Sequence, residues 1–120
     1  MRGIFENGNP FVEIEIKGFA GDFKKINALI DSGFNGYLTL PYVEAFPLGL
    51  VLLGTQSSVL ANGTRADYFV CMGRVKLKNK EIPVSIDIHS DCNILLGTKL
   101  LAELGKTLIL DPANKTVELR

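Results

Sequence analysis

The residues best suited to chemistry lie in one short segment, where an aspartate ends an apolar stretch. Ala28-Leu29-Ile30 precedes Asp31, and Ser32 and Gly33 follow it. The glycine allows a sharp turn and the close approach of another chain segment, and the serine hydroxyl can tie the loop by hydrogen bonds. A carboxylate held this way at a strand end can serve as a general base toward water. An ordinary β-turn with a solvated aspartate is the alternative interpretation.

Other kinds of chemistry have little support in the composition. A Ser–His or Cys–His nucleophilic system would have to use His89, the single histidine, and nothing places a serine or cysteine beside it with an orienting acid. His89, Asp91 and Cys92 could supply metal ligands, but no CxxC pair or fourth ligand completes a recognised spacing. We therefore expect no metal and no organic cofactor. Cys71 and Cys92 are expected to be reduced and buried, with a single bridge between them as the alternative.

Length and composition fit one globular domain that spans residues 1–120. The chain carries 13 Lys+Arg and 13 Asp+Glu, and 47% of its residues are apolar. A net charge of zero argues against binding to nucleic acid or to an anionic membrane mainly through bulk electrostatics. No apolar run approaches the ~18 residues that span a bilayer, and residues 1–7 have no signal-peptide core. We therefore expect a cytoplasmic protein.

Most of the chain is predicted to be β-strand, so strands must position Asp31. Residues 12–17 alternate apolar and charged side chains, which is the period of a strand with one buried face. Residues 26–30 form a second strand that ends at Asp31, and residues 18–22 would join the two as a hairpin. Further strands are predicted at residues 37–40, 51–60, 64–77, 84–89, 94–97, 107–110 and 116–119.

One helix is predicted at residues 99–104. Thr98 is suited to its N-cap, and Gly105 is suited to the left-handed position just past its end. A single helical turn is also predicted at residues 42–46, which Pro47 would stop.

The dipeptide Asn62-Gly63 is the clearest turn signal that we identify, because both residues tolerate positive φ. Residues 51–60 and 64–77 would then be the two arms of a long hairpin. On its own this pattern indicates only a generic tight turn.

Four basic residues occupy alternate positions at the end of this second arm and just beyond it: Arg74, Lys76, Lys78 and Lys80. We predict that they line one exposed strand face, where lysines deter edge-to-edge pairing. A contact face for substrate or nucleic acid is the alternative. Asn79-Lys80 marks the next turn.

Three of these features, in this order, resemble the retropepsin-like (single-domain, clan AA) aspartic proteases of the cellular or prokaryotic type. Residues 29–33 resemble the catalytic Asp-Ser/Thr-Gly loop, and the hairpin around Asn62-Gly63 resembles the flap. Residues 94–97 and the following helix resemble the segment that threads beside the active-site loop. The likeness covers about residues 10–120. It implies a mostly β, closed barrel-like half with one short C-terminal helix, in a homodimer.

The resemblance also implies an aspartic endopeptidase that acts on polypeptides. Asp31 would be catalytic, Ser32 and Gly33 would position it, and Asn62 and Gly63 would cover the substrate. This chemistry uses two carboxylates that share one proton. None of the other five aspartates precedes Ser-Gly or Thr-Gly, so the second Asp31 would come from another copy of the chain.

Two positions depart from the retroviral pattern, in which an acidic residue and an arginine pair beside the loop. Here those positions hold Asn35 and Thr98. Both charges are absent together, so the bracing of the dimer is expected to differ. A non-catalytic dimerisation or peptide-binding module of the same fold is one alternative. A monomer whose Asp31 merely caps a turn is another.

Overall fold

Ten β-strands and two short helices make up the computed structural model, which describes residues 1–120. In chain order the elements are β1 (Ile4–Glu6), β2 (Asn9–Lys17), β3 (Lys24–Ile30), β4 (Leu38–Pro41), α1 (Tyr42–Ala45), a single 3-10 turn (Phe46–Leu48), β5 (Val51–Val59), β6 (Arg65–Leu77), β7 (Lys80–His89), β8 (Leu95–Leu96), α2 (Thr98–Glu103), β9 (Leu108–Asp111) and β10 (Thr116–Leu119). The predicted mostly β class is confirmed. The longest helix has six residues, and none is long and apolar enough to cross a membrane.

Eight strands form one sheet in the order β1-β2-β3-β8-β4-β7-β6-β5, and β2 pairs additionally with β6. The sheet bends around a core of 22 buried apolar residues. The alternation in the sequence places this core correctly, because Val12, Ile14 and Ile16 are at most 1% exposed and the intervening charged residues lie on the other face. Burial of that face stabilises the fold in proportion to the apolar area removed from water.

The two-residue strand β8 lies between β3 and β4 and fixes the strand that leads to Asp31. It runs parallel to β3 and antiparallel to β4. Leu96 pairs with Ile30 on one side and with Leu38 on the other, and all three side chains are buried. The sequence predicts a strand over residues 94–97 here, but only the middle two residues pair on both sides.

Helix α2 begins one residue earlier than predicted. Gly97, in an extended conformation (φ −96°, ψ 174°), occupies the N-cap position, and Thr98 is already helical. The prediction of Thr98 as the N-cap is therefore wrong. The prediction for Gly105 is confirmed, because its φ is 65° and its N–H donates to the carbonyl of Ala102 at 3.0 Å.

Two further turns differ from the prediction. Pro47 does not stop the helical turn. It lies in the 3-10 turn that continues α1, where its missing N–H costs no helical hydrogen bond, and Gly49 (φ 66°) ends the segment. The turn between β6 and β7 lies at Lys78 and Asn79, with Lys78 at φ 53°, rather than at Asn79-Lys80.

Strand β6 is an interior strand, since it pairs with β5, with β7 and, near its end, with β2. Arg74 and Lys76 lie on its partly exposed face, as the alternation predicts, but the prediction that the basic run protects an exposed strand from edge-to-edge pairing is wrong. Lys78 lies in the turn and Lys80 belongs to β7. Arg74 forms an ion pair between neighbouring strands, with its Nε 2.6 Å from Oε1 of Glu81.

Strand β1 was not predicted, although it is formed by the same signal that predicted the long hairpin. Asn7 (φ 52°) and Gly8 (φ 79°) make a two-residue turn between β1 and β2, with both residues at positive φ. This is the turn geometry that an Asn-Gly pair favours.

The predicted last hairpin is confirmed as a separate two-stranded sheet of β9 and β10. The N-terminus attaches to β10, because the N–H of Gly3 donates to Val117 O at 2.9 Å and that of Leu119 donates to Met1 O at 2.8 Å. The outer edge of β9 has no paired strand, and Ile109 on it is partly exposed.

Candidate active site

Asp31 directly follows β3, where the chain leaves the sheet. Its N–H donates to the carbonyl oxygen of Leu96 at 3.0 Å, and two residues earlier the N–H of Leu29 donates to Ile94 at 2.8 Å. The neighbouring Ile30 is buried in the core, whereas Asp31 itself is half-buried. The carboxylate therefore stands on a strand end fixed by β8 and remains accessible to solvent.

The turn after Asp31 orients its carboxylate. The N–H of Gly33 donates to Oδ1 of Asp31 at 2.9 Å, and the N–H of Phe34 donates to the Asp31 carbonyl oxygen at 3.1 Å. A Cβ on Gly33 would lie only 3.3 Å from the same Oδ1, so glycine leaves room for the carboxylate. Ser32 is exposed and its hydroxyl makes no hydrogen bond within the chain. The sequence suggested that the Ser32 hydroxyl would hold the loop by hydrogen bonds, but the backbone amides of Gly33 and Phe34 do so instead.

The loop that carries Asp31 is joined to the chain after β8 by backbone hydrogen bonds. Three amides donate to three loop carbonyls: Gly97 to Tyr37 at 3.0 Å, Thr98 to Phe34 at 3.0 Å and Lys99 to Gly36 at 3.2 Å. A Cβ on Gly97 would lie 2.2 Å from the Gly36 carbonyl oxygen and 2.7 Å from that of Phe34. Only glycine permits this approach.

The positions of Asn35 and Thr98 explain how the loop is braced without an ion pair. The Thr98 hydroxyl and amide both donate to the carbonyl oxygen of Phe34, at 3.4 and 3.0 Å. Asn35 is exposed, and its side chain forms no hydrogen bond. The bracing therefore comes from neutral groups within one chain.

The projecting hairpin, residues 51–72, lies at the position expected from the sequence, but its tip has a different geometry. Residues 61–63 form a three-residue loop in which Gly63 alone has positive φ, at 83°. Oδ1 of Asn62 accepts hydrogen bonds from the N–H of Thr64 at 3.0 Å and from its hydroxyl at 2.6 Å. This Asn–Thr pairing favours a turn with a following left-handed glycine over the two-residue turn. Within the single chain, Asn62 and Gly63 are exposed and make no hydrogen bond to the Asp31 loop.

Thr39 is a positioning residue that the sequence analysis missed. Its side chain is only 6% exposed, and its hydroxyl donates to the carbonyl oxygen of Asn93 at 3.0 Å and accepts from the N–H of Leu95 at 3.1 Å. These bonds hold β8 against β4, and β8 in turn holds Asp31. A single hydroxyl between two leucines of a short strand was the available signal.

The thiols and the histidine lie outside the Asp31 loop. Cys71 and Cys92 are both free. Burial raises the pKa of both thiols. The His89 ring stacks on Tyr68, with the ring centroids 4.8 Å apart. No group of three His, Cys, Asp or Glu side chains is arranged to hold a metal ion.

Solved structures of two viral proteases are similar in fold to this chain. The EIAV protease, in complex with the inhibitor HBY-793, aligns with a TM-score of 0.69 and 19% sequence identity, over 85% of this chain and 93% of that one. The simian foamy virus (mac) protease, a solution structure, aligns with a TM-score of 0.59 and 20% identity, over 82% and 99%. No family model matches the chain, and no curated protein does. The chain therefore has the fold of the retropepsin-like proteases.

Proposed function

We propose that the chain is an aspartic endopeptidase, of the cellular or prokaryotic single-domain type, that works as a homodimer. The observation that carries this proposal is the placement of Asp31 at a braced strand end, with the Gly33 N–H on its carboxylate. The fold is the second support, because two viral proteases share it. The β2–β6 pairing supports the closed, barrel-like half that the sequence implied.

Two copies are needed because each chain offers one carboxylate at this place. The Asp31 loop and the segment braced against it, residues 31–37 and 96–99, contain no other acidic residue. A two-fold axis near Asp31 would bring two copies of it together. Exposed apolar residues support such a contact: Val59 and Leu60 near the hairpin tip are 68% and 48% exposed, and Leu110 on β9 is 41% exposed.

The proposed reaction is hydrolysis of a peptide bond by a water molecule held between the two carboxylates. The ionised Asp31 takes a proton from the water while the water oxygen bonds to the carbonyl carbon of the peptide. The protonated Asp31 of the other chain gives its proton to the carbonyl oxygen. The carbon–nitrogen bond then breaks as a proton passes to the leaving amine. The Gly33 N–H would keep each carboxylate in place, with Ser32 completing the turn, and Asn62 and Gly63 at the hairpin tip would cover the extended substrate.

The test is cleavage of an unfolded polypeptide from acid to neutral pH, with and without a pepstatin-like inhibitor. We expect inhibitor-sensitive cleavage with an acidic or mildly acidic optimum, and its loss in Asp31→Asn. Asp22→Asn, which changes an exposed loop carboxylate, is the matched control and should cleave like the parent. Analytical ultracentrifugation should give a dimer for the parent and both variants.

Cleavage that survives Asp31→Asn, or a rate that rises steadily to alkaline pH, would overturn the proposal. An intact dimer that cleaves nothing would instead favour a non-catalytic module of this fold. A monomer under all conditions would leave a single carboxylate without its partner and would also refute the mechanism.

A further inference from the structure

A small polar cavity of about 190 Å³ lies between the segment that carries Asp31 and the middle of the projecting hairpin. Its polar and aromatic lining comes from five segments of the chain: Tyr37, Gln56, Tyr68, Ser85, Asp87 and Lys99. Sites for whole small molecules are larger, about 300–1,000 Å³. The cavity therefore suits one side chain of a larger ligand.

The cavity lies beside the path of a peptide that passes Asp31. Gly36, another lining residue, follows Asp31 by five residues, which limits their separation to about 17 Å. On the hairpin side, Gln56 and Tyr68 are directly paired on β5 and β6. A peptide held between the Asp31 loop and the hairpin, extended at about 3.3 Å per residue, reaches this cavity within about five residues of the scissile bond.

Asp87 gives the cavity its chemical character. It is half-buried, and it takes part in none of the three ion pairs and in no side-chain hydrogen bond of the chain. Burial raises the pKa of its carboxyl, and the nearby His89 opposes that rise. A partly desolvated carboxylate without a partner is unfavourable, and a bound cation would compensate it.

The aromatic walls suit a cation with an apolar stem. Tyr68 lines the cavity and its ring stacks on His89, while its hydroxyl donates to Oε1 of Gln56 at 3.1 Å and so fixes the side chain. Aromatic faces attract guanidinium and ammonium groups. Lys99 is exposed and forms no ion pair with Asp87, and its Nζ lies 5.9 Å from the ring centroid of Tyr37.

We propose that this cavity is a subsite for an arginine or lysine side chain of the polypeptide substrate, with Asp87 as its anionic partner and Tyr68 as its aromatic wall. The inference rests on the proposed peptidase function. An acidic side chain is disfavoured there because it would face Asp87.

Cleavage-site profiling in a diverse peptide mixture tests the subsite. For the parent we expect arginine and lysine to be favoured about tenfold over glutamine at one position within five residues of the cleaved bond. Asp87→Asn should remove this preference while cleavage of neutral peptides continues. Lys99→Gln and the matched control Asp22→Asn should both retain it. A flat profile in the parent, or a basic preference that persists in Asp87→Asn, overturns the subsite.

A binding measurement separates this inference from the peptidase proposal. Fluorescence anisotropy measures the binding of extended peptides that carry one arginine and of the same peptides with glutamine in its place. The two proteins compared are Asp31→Asn and the Asp31→Asn/Asp87→Asn double variant. We expect about tenfold tighter binding of the arginine peptides to the first protein only. A parent that cleaves nothing refutes the activity, while this comparison still decides the subsite. If both proteins favour the arginine peptides equally, the role of Asp87 is refuted. A preference for peptides with an acidic side chain that Lys99→Gln removes would refute it as well.

Discussion

Gly97→Ala should damage the site from a position that cannot touch a substrate. The new Cβ would stand 2.2 Å from the carbonyl oxygen of Gly36, against 3.4 Å for an ordinary contact, so the two segments must separate by about 1.2 Å. That separation strains the hydrogen bonds of Thr98 and Lys99 to the Asp31 loop. Overpacking of this kind costs about 1–3 kcal/mol of the free energy of unfolding. A displacement of about 1 Å at a catalytic group can lower the rate by about 100-fold.

Urea unfolding and the kcat/KM for an unfolded polypeptide measure the two effects. Gly54→Ala is the matched control, because a Cβ at Gly54 meets nothing within 4 Å and its φ is not positive. We expect Gly54→Ala to keep the parental stability, whereas Gly97→Ala loses both stability and rate. Parental values for Gly97→Ala in both assays would refute the view that this close approach fixes the Asp31 loop.

Two further perturbations test the packing around the site. Thr39→Val should cost about 1–3 kcal/mol of unfolding free energy in urea melts, because it leaves the N–H of Leu95 and the carbonyl of Asn93 without their partner. Thr39→Ser keeps the hydroxyl and should lose less stability. An equal loss in both variants would contradict the role of the hydroxyl. For Asp87, burial raises the pKa of the folded protein above the ordinary value of 3.8, so between these two pKa values the folded state binds more protons than the unfolded state. The stability of the parent therefore falls as the pH rises from the unfolded pKa through the folded one. The melting temperature of Asp87→Asn, relative to the parent, should therefore increase from strongly acid to neutral pH, and a constant or decreasing difference would contradict the burial of this carboxyl.

The sequence predicts those parts of the fold that are set by local pattern. The alternation at Val12, Ile14 and Ile16 identifies a buried face because period two is a property of the strand itself. Gly105 ends its helix because the left-handed conformation there favours glycine. In both cases the deciding physics acts within a few residues of the chain.

Contacts between distant segments decide two features of the site that the sequence did not predict. Gly97 displaces Thr98 from the N-cap position because the Asp31 loop packs against it from more than sixty residues away in sequence. The hydroxyl of Thr39 gains its role only when β8 inserts between β3 and β4. Asn62-Gly63 and Asn7-Gly8 share a dipeptide but adopt different turns, because Thr64 supplies a second hydrogen-bonding group to one of them.

Bracing of the Asp31 loop is complete within one chain, and this defines what a second chain must add. The loop is tied by the amides of Gly97, Thr98 and Lys99 and by the Thr98 hydroxyl, all of them neutral groups. Apart from the Asp31 carboxylate, residues 31–37 carry no charged side chain, so the loop needs no ion pair with a second chain to hold its shape. In the proposed dimer the partner therefore supplies the second carboxylate rather than the shape of the first site. Folding of the loop and assembly of the dyad are then separable events, and only the second depends on protein concentration.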